Sequence, residues 1–523
     1  MKRDAAVERL RATERWDVLV VGGGATGIGT ALDAASRGYR TLLVERGDFG
    51  QGTSSRSTKL VHGGVRYLRQ GNVSLVTEAL AERAILRRNA PHLVHDLPLV
   101  VPSYDWWEGP FYGVGLKIYD LLAGKHGFGK SRRLSRADTI ARVPGVETSG
   151  LRGGVIYHDG QFDDARLVVH LARTAVAQGA TLVNYVELVD LTKTHGIVDG
   201  AVLFDREREA EHVVRARVVI NATGVFADGV RRIDEPDAPR LLRPSQGVHL
   251  VLDAGFLSGD SAVLVPSTDD GRVLFLIPWL GRVLVGTTDT PVDVPSVEPR
   301  PRADEIAFLL EHAARYLARD PSEADILSVF AGLRPLVGAD AGGTAALSRD
   351  HTVLVSRSGL VTVTGGKWTT YRRMAEDTVD QAILVGDLNP ERSPTDRLPL
   401  HGAPGPEAPL PPGPHGTDAA ALDAICQGSL ADPIHPGLPY RLGEVLWAAR
   451  FEMARTVDDV LSRRTRALLL DAQAAREAAP AVAAVLAGEL KRDARWVEEQ
   501  VRAFEDLARG YLPAGAEEVR SPS

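Results

Sequence analysis

Residues 17–45 confine this chain to a small set of folds. Asp17-Val18-Leu19-Val20-Val21 is a short apolar run that reads as a buried parallel strand. The cluster Gly22-Gly23-Gly24-Ala25-Thr26-Gly27 follows, then residues 28–37 with the small residues of a helix packed on a sheet, and Gly38 as a C-cap. Thr41-Leu42-Leu43-Val44-Glu45 is a second strand, so a βαβ unit is complete. In such a unit Gly22 permits the tight turn, Gly24 lets the backbone approach a pyrophosphate, and Gly27 allows close packing of helix on strand. The helix N-terminus supplies amide donors and a positive dipole end. Glu45, about 20 residues on, is placed to bind ribose hydroxyls. A bare strand–helix turn is the competing reading, and strand, helix and acid together favour a nucleotide. The unit alone does not separate FAD from NAD.

At 523 residues the chain is too long for one core, and two or three domains are expected. The net charge of −7 argues against general nucleic-acid binding, while leaving room for a local positive pocket. The single cysteine, Cys426, excludes an intrachain disulfide and fits a reducing compartment. The N-terminus lacks the apolar core of a secretory signal, and no run of about 18 uncharged apolar residues is present. A cytoplasmic protein is expected, with any membrane contact peripheral.

Residues 154–157, 180–185, 213–221 and 360–364 read as further strands of the nucleotide sheet, with helices over 165–178 and from about 367. Residues 247–252, 263–266, 273–278 and 282–286 alternate as an antiparallel sheet does. The expected architecture is α/β: a Rossmann-like dinucleotide-binding domain, interleaved with an antiparallel-β substrate domain, plus a helical C-terminal domain. Residues 16–90, 150–235 and 340–388 are assigned to the first, and 91–149 and 236–339 to the second. Residues 389–418, dense in proline and glycine, read as a linker, and 419–523 as the helical domain.

The stretch from Gly52 to Leu68, GTSSRSTKLVHGGVRYL, is rich in glycine and hydroxyls and would lie along an extended cofactor. It resembles the flavin-contacting loop of FAD-dependent glycerol-3-phosphate dehydrogenases of the aerobic type. Further motifs resemble that family in the expected order: Asn221-Ala222-Thr223-Gly224, Gly247-Val248-His249, Gly286-Thr287-Thr288-Asp289, Gly332-Leu333-Arg334-Pro335, Ser348-Arg349-Asp350 and Gly365-Gly366-Lys367-Trp368-Thr369-Thr370. The likeness runs from about residue 16 to 377 and more loosely through the C-terminal helices. Val225-Phe226-Ala227-Asp228 departs from it, where proline and tryptophan are expected.

The resemblance implies that the nucleotide domain is a Rossmann-like FAD-binding domain of the glutathione-reductase type. It implies non-covalent FAD and oxidation of sn-glycerol 3-phosphate to dihydroxyacetone phosphate, with hydride passing from C2 to the flavin and electrons on to a membrane quinone. It implies cofactor contacts from Gly22, Gly24, Gly27, Glu45, Thr53, Ser54, Ser57, Lys59, His62, Gly63, Gly64, Ala222, Thr223, Gly224, Gly366, Lys367 and Thr369. Arg66, Tyr67, His249, Arg334, Arg349 and Lys367 are the implied substrate contacts, with His249 and Arg334 the catalytic candidates. A phosphate dianion suits guanidinium forks, which bind it bidentately and stay charged. The C2 hydroxyl proton needs an acceptor, and His249 is the first choice. Lys367 and the helix that follows would favour negative charge on a reduced flavin.

Residues 104–122 carry six aromatic side chains, Trp106, Trp107, Phe111, Tyr112 and Tyr119 among them, and few charges. Two readings stand open: contact with the inner face of the cytoplasmic membrane, or an ordinary domain interface. A homo-oligomer is expected. The alternatives to a quinone-linked dehydrogenase are a glycerol-3-phosphate oxidase using oxygen, a flavin amine oxidase-like enzyme, and a non-catalytic flavin-binding module.

Overall fold

The computed structural model describes all residues except 65–71, 107, 267, 270, 339–350 and 516–523. Among the described residues the first sheet has eight strands. Its parallel centre runs Val361–Gly365, Ala210–Asn221, Trp16–Val21, Thr41–Glu45, Thr181–Asn184. The helices Ala25–Ser36, Asp164–Ala177 and Tyr371–Val385 cover it, and Ile28, Leu32, Leu171, Ala175, Val379 and Ile383 share one core with Val18 and Val20. The antiparallel pair Val186–Thr194 and Ile197–Asp205 extends the strand Ala210–Asn221 away from that core.

The second sheet has ten strands among the described residues, built around Leu242–Asp253, Leu274–Trp279, Arg282–Gly286 and Ile326–Val337. The four alternating segments read from the sequence all fall in it, antiparallel to one another. Period-2 alternation divides the strand Leu242–Asp253. Val248, Leu250 and Leu252 point to a core with Leu309 and Val329. Val251 points the other way, to a core shared with Phe330, Leu468 and Leu486. The second sheet and the C-terminal helices Ala472–Leu490 and Ala494–Arg509 are therefore one packed unit.

Two expectations are corrected. Residues 154–157 are not a strand of the nucleotide sheet. The strand Gly153–Phe162 pairs along its whole length with Val94–Ser103 in the second sheet, and Leu60–Val61 pairs on its other edge. An apolar run four residues long carries no signal of which sheet it joins, and here the ten-residue antiparallel register decides. The substrate sheet thus takes strands from within 16–90 and 150–235.

The second correction concerns 389–418. It forms no strand, as its prolines require, but it is a packed strap rather than a free linker. The Asn389 carbonyl accepts from Tyr39 Oη at 2.5 Å, Leu400 N donates to Asn89 O at 2.8 Å, and His401 N donates to Thr174 Oγ1 at 2.8 Å. Backbone groups of the strap are met here by side-chain and backbone groups of the nucleotide domain.

Buried ion pairs clamp the C-terminal region to the rest. Both Nη atoms of Arg464 reach Asp48 at 2.7 Å, and Arg463 Nε reaches it at 2.5 Å. Arg166 grips Glu452 with two bonds of 2.8 and 2.7 Å. Burial alone would raise the Asp48 carboxyl, but the Arg464 and Arg463 charges outweigh it and hold it below the usual range.

Candidate active site

Four parallel strands of the first sheet end side by side, at Val21, Glu45, Asn221 and Gly365. Ligands in open α/β sheets bind in the crevice beyond such carboxyl ends. Gly22 adopts φ +113°, and a Cβ there would lie 2.6 Å from Ala222 O. A Cβ on Gly27 would run into Gly22 O, so Gly27 serves the packing of helix on strand and is not in the cavity wall. Ser54 Oγ accepts from Ala25 N at 2.9 Å, seating the loop 52–64 on the first turn of the helix. Glu45 accepts from Gly23 N at 2.6 Å and Gly47 N at 2.8 Å. Burial raises its carboxyl above the ordinary range, against those two amides.

A cavity of about 1450 Å³ runs from this crevice to the second sheet. Ordinary small-ligand pockets span roughly 300–1,000 Å³, so the space admits a dinucleotide and a small substrate together. Its wall includes Gly22, Gly24, Glu45, Thr53, Ser54, Ser57, His62, Gly64, Ala222, Thr223, Gly224, Gly366, Lys367 and Thr369, and also His249 and Arg334. The glycine cradle, the helix N-terminus and the hydroxyl-lined loop fit FAD.

The loop 52–64 is fixed from both sheets. Thr53 Oγ1 donates to Leu333 O at 2.7 Å, and Trp368 Nε1 donates to Ser54 O at 2.9 Å. Thr369 Oγ1 accepts from His62 N at 3.2 Å. Gly63 N donates to Tyr119 Oη at 2.9 Å, and the residue lies outside the cavity wall. Lys59 is a correction. Its side chain turns away from the cavity into a fully buried pair with Asp164 at 2.7 Å. Burial pulls its ammonium down to about 8, against the Asp164 charge. Ser57 lines the cavity but spends its hydroxyl on the same Asp164 at 2.7 Å.

On the second sheet, alternation puts Gly247 and His249 of one strand, and Phe330, Gly332 and Arg334 of its neighbour, on one face. His249 stacks on Phe330 with ring centroids 4.8 Å apart, and its Nε2 lies 3.0 Å from Thr58 Oγ1. Burial, then the charges of Lys59 and Arg334, hold the imidazole well below its ordinary pKa, so the ring is neutral. Arg334 Nη2 donates to Thr287 Oγ1 and Thr288 O at 3.1 Å each, and Nη1 lies 3.3 Å from Asp289. Gly247 makes room for that guanidinium. Arg66, Tyr67 and Arg349 lie outside the described residues. Thr58, Thr287, Asp289 and Asp164 were not anticipated as parts of the site. The first three sit inside motifs already legible; Asp164 gives no local signal, since its partners come from 55–59 and 466.

A dinucleotide crevice facing an imidazole and a braced guanidinium across one cavity defines the class: a two-domain flavin-dependent oxidoreductase. Residues 17–372 match the family model of FAD-dependent oxidoreductases, and residues 413–497 match the C-terminal domain of alpha-glycerophosphate oxidase. The chain is 41% identical to the mitochondrial glycerol-3-phosphate dehydrogenase of Rattus norvegicus, over 93% of this chain and 72% of that one. It is 41% identical to the Arabidopsis thaliana mitochondrial enzyme, over 97% of this chain and 88% of that one. The FAD-complexed glycerol-3-phosphate dehydrogenase of Bacillus halodurans superposes with a TM-score of 0.77 at 30% identity, covering 98% of each chain. The chain belongs to the FAD-dependent glycerol-3-phosphate dehydrogenase family.

Proposed function

We propose that the protein oxidises sn-glycerol 3-phosphate to dihydroxyacetone phosphate and passes the electrons to a membrane quinone. The observation that carries this is one cavity lined by the dinucleotide crevice, His249, Arg334 and Lys367. Bound FAD supplies the acceptor for the C2 hydride.

The chain's own residues do the rest. Arg334, held by Thr287, Thr288 and Asp289, presents a planar cation to the phosphate dianion, and Arg66 and Arg349 are assigned the same task. His249 takes the C2 hydroxyl proton at Nε2. Its Nδ1 is enclosed, with no hydrogen-bond partner among the described residues. Lys367 and the start of the helical run Trp368–Thr370 to Tyr371–Val385 set a cation and a positive helix end against the cavity. Both favour the negative charge that reduction places on the isoalloxazine.

The helix Glu108–Ala123 supports the membrane reading. Val114, Ile118 and Leu121 are exposed at spacings that set them on one face. Lys117, Arg132 and Arg133 border the cleft beside them, where cations meet anionic headgroups. Val114 and Ile118 also line the main cavity, which joins the apolar surface to the flavin site and offers a quinone its route. No helix among the described residues is long and apolar enough to cross a membrane. The contact proposed is a peripheral one, on the inner face of the cytoplasmic membrane. The test compares glycerol-3-phosphate-driven reduction of a soluble quinone under nitrogen with peroxide formation under air. Fast quinone reduction with little peroxide supports the proposal; the reverse makes oxygen the acceptor.

A further inference from the structure

The segment Ser55 to Lys59 lies between the cavity and the C-terminal domain. Asp164 Oδ2 accepts from Ser57 N at 2.9 Å, Ser57 Oγ at 2.7 Å and Lys59 Nζ at 2.7 Å. Its Oδ1 accepts from Arg466 Nη2 at 3.1 Å. Arg466 Nη2 and Lys59 Nζ also both donate to Ser55 O, at 2.7 and 2.9 Å. Asp164, Lys59 and Arg466 are all buried. Burial alone would raise the Asp164 carboxyl, and the Lys59 and Arg466 charges reverse this, so the carboxylate stays ionised. The segment is held from behind by one anion and two cations.

Within this segment the Thr58 hydroxyl faces forward. Thr58 lines the cavity, and its Oγ1 lies 3.0 Å from His249 Nε2. Nothing else polar among the described residues orients the ring: its Nδ1 lacks a partner, Phe330 stacks on it, and Gly286 lies against its Cδ2.

We propose that Thr58 orients His249 and passes the substrate's proton to it, and that Arg466 fixes the segment carrying Thr58, which gives the C-terminal domain a part in the active site. The proposal rests on the reading of His249 as the proton acceptor. A hydroxyl is both donor and acceptor. It donates to the Nε2 lone pair of the neutral ring and accepts from Nε2–H once the ring is protonated. Nε2 has one lone pair and Thr58 Oγ1 faces it, so the C2 hydroxyl proton reaches the ring through that hydroxyl: Oγ1 takes it as its own hydrogen passes to Nε2, while the C2 hydride leaves to the flavin. Valine at 58 has the shape but neither capability.

The experiment measures steady-state kinetics and bound flavin for Thr58→Val, Thr58→Ser, Arg466→Lys and His249→Asn holoenzymes. Thr58→Val is expected to lose kcat by roughly 10- to 100-fold, the scale on which loss of an orienting outer partner acts. Its KM and flavin content stay at wild-type values, and Thr58→Ser recovers most of the loss. Arg466→Lys keeps a cation beside Asp164 but not the fork, and is expected to lose kcat in the same way with flavin retained. A Thr58→Val enzyme with full kcat, beside an inactive His249→Asn, overturns the proposal. Loss of flavin in Thr58→Val overturns it too, by placing the hydroxyl on the cofactor. Full activity of His249→Asn sinks the underlying reading of the histidine instead. Wild-type kcat in Arg466→Lys removes the C-terminal domain from the account. Should that variant fail to fold, the Thr58 pair, which leaves the ion cluster intact, decides the matter.

Discussion

A Cβ at position 247 would lie 2.8 Å from Cζ of Arg334 and 2.6 Å from Thr287 Oγ1. Glycine at 247 is thus the space in which the guanidinium sits, one strand away. Gly247→Ala is expected to push Arg334 off Thr287 and Thr288 while leaving the sheet paired. Hydrogen bonds to charged groups contribute about 1.5–3 kcal/mol each, so KM for glycerol 3-phosphate should rise roughly ten-fold or more, with little change in Tm. Steady-state kinetics beside thermal unfolding check this; an unchanged KM would detach Arg334 from the substrate.

The clamp at Asp48 makes a stability prediction. Arg464→Met removes two of the three bonds from Arg463 and Arg464 to a fully buried carboxylate. Breaking a buried pair on one side costs about 3–5 kcal/mol. Denaturant unfolding should show a loss on that scale, and Asp48→Asn in the Arg464→Met background should recover part of it by removing the stranded charge.

The strap carries a pH dependence. His92 Nε2 lies 3.1 Å from His170 Nδ1, and the His401 carbonyl lies 2.6 Å from the same Nδ1. Burial first, then Arg166, pulls His92 down to about 4; burial, Arg166 and His92 hold His170 well below the ordinary value. The fold keeps both neutral, while the unfolded chain protonates them as pH falls through about 6.5. The unfolded state then binds more protons, so stability is full above that pH and is lost as pH falls from about 6.5 toward 4. The ceiling is about 1.4 kcal/mol per pH unit for each histidine. Unfolding midpoints at pH 7.5 and 5 should differ, and His92→Gln should narrow the gap; equal midpoints in the wild-type protein contradict it.

The apolar face of the helix Glu108–Ala123 predicts vesicle binding. Leu121 is 80% exposed, so Leu121→Asp should fold normally. It should sediment less with anionic vesicles than the wild-type chain, and high salt should weaken both by screening Lys117, Arg132 and Arg133. Equal sedimentation of the two proteins would move the membrane contact elsewhere.

The parts of this fold legible in the sequence are those whose signal is local. The glycine turn, Glu45 at the end of the second strand and the alternation of 247–252 each follow from a few neighbouring residues. So does the helical start at Lys367. Residues 154–157 were legible as extended chain but not as part of the second sheet, because the strand Val94–Ser103, which pairs along the whole of Gly153–Phe162, lies fifty or more residues earlier. The strap 389–418 announced its lack of helix through proline, yet its fixed path depends on Tyr39 Oη, the Asn89 carbonyl and Thr174 Oγ1. In the site, motif order brought His249, Arg334 and Lys367 to one cavity. Lys59, given to the cofactor by the resemblance of its loop, is instead drawn inward by Asp164.

The central claim is most directly tested by anaerobic titration of the purified holoenzyme with sn-glycerol 3-phosphate, followed at the visible absorption band of the flavin. The account predicts bleaching by this substrate, none by glycerol or sarcosine, and strongly weakened bleaching in Arg334→Met. A flavin that stays oxidised under glycerol 3-phosphate, or that glycerol reduces equally well, would contradict it.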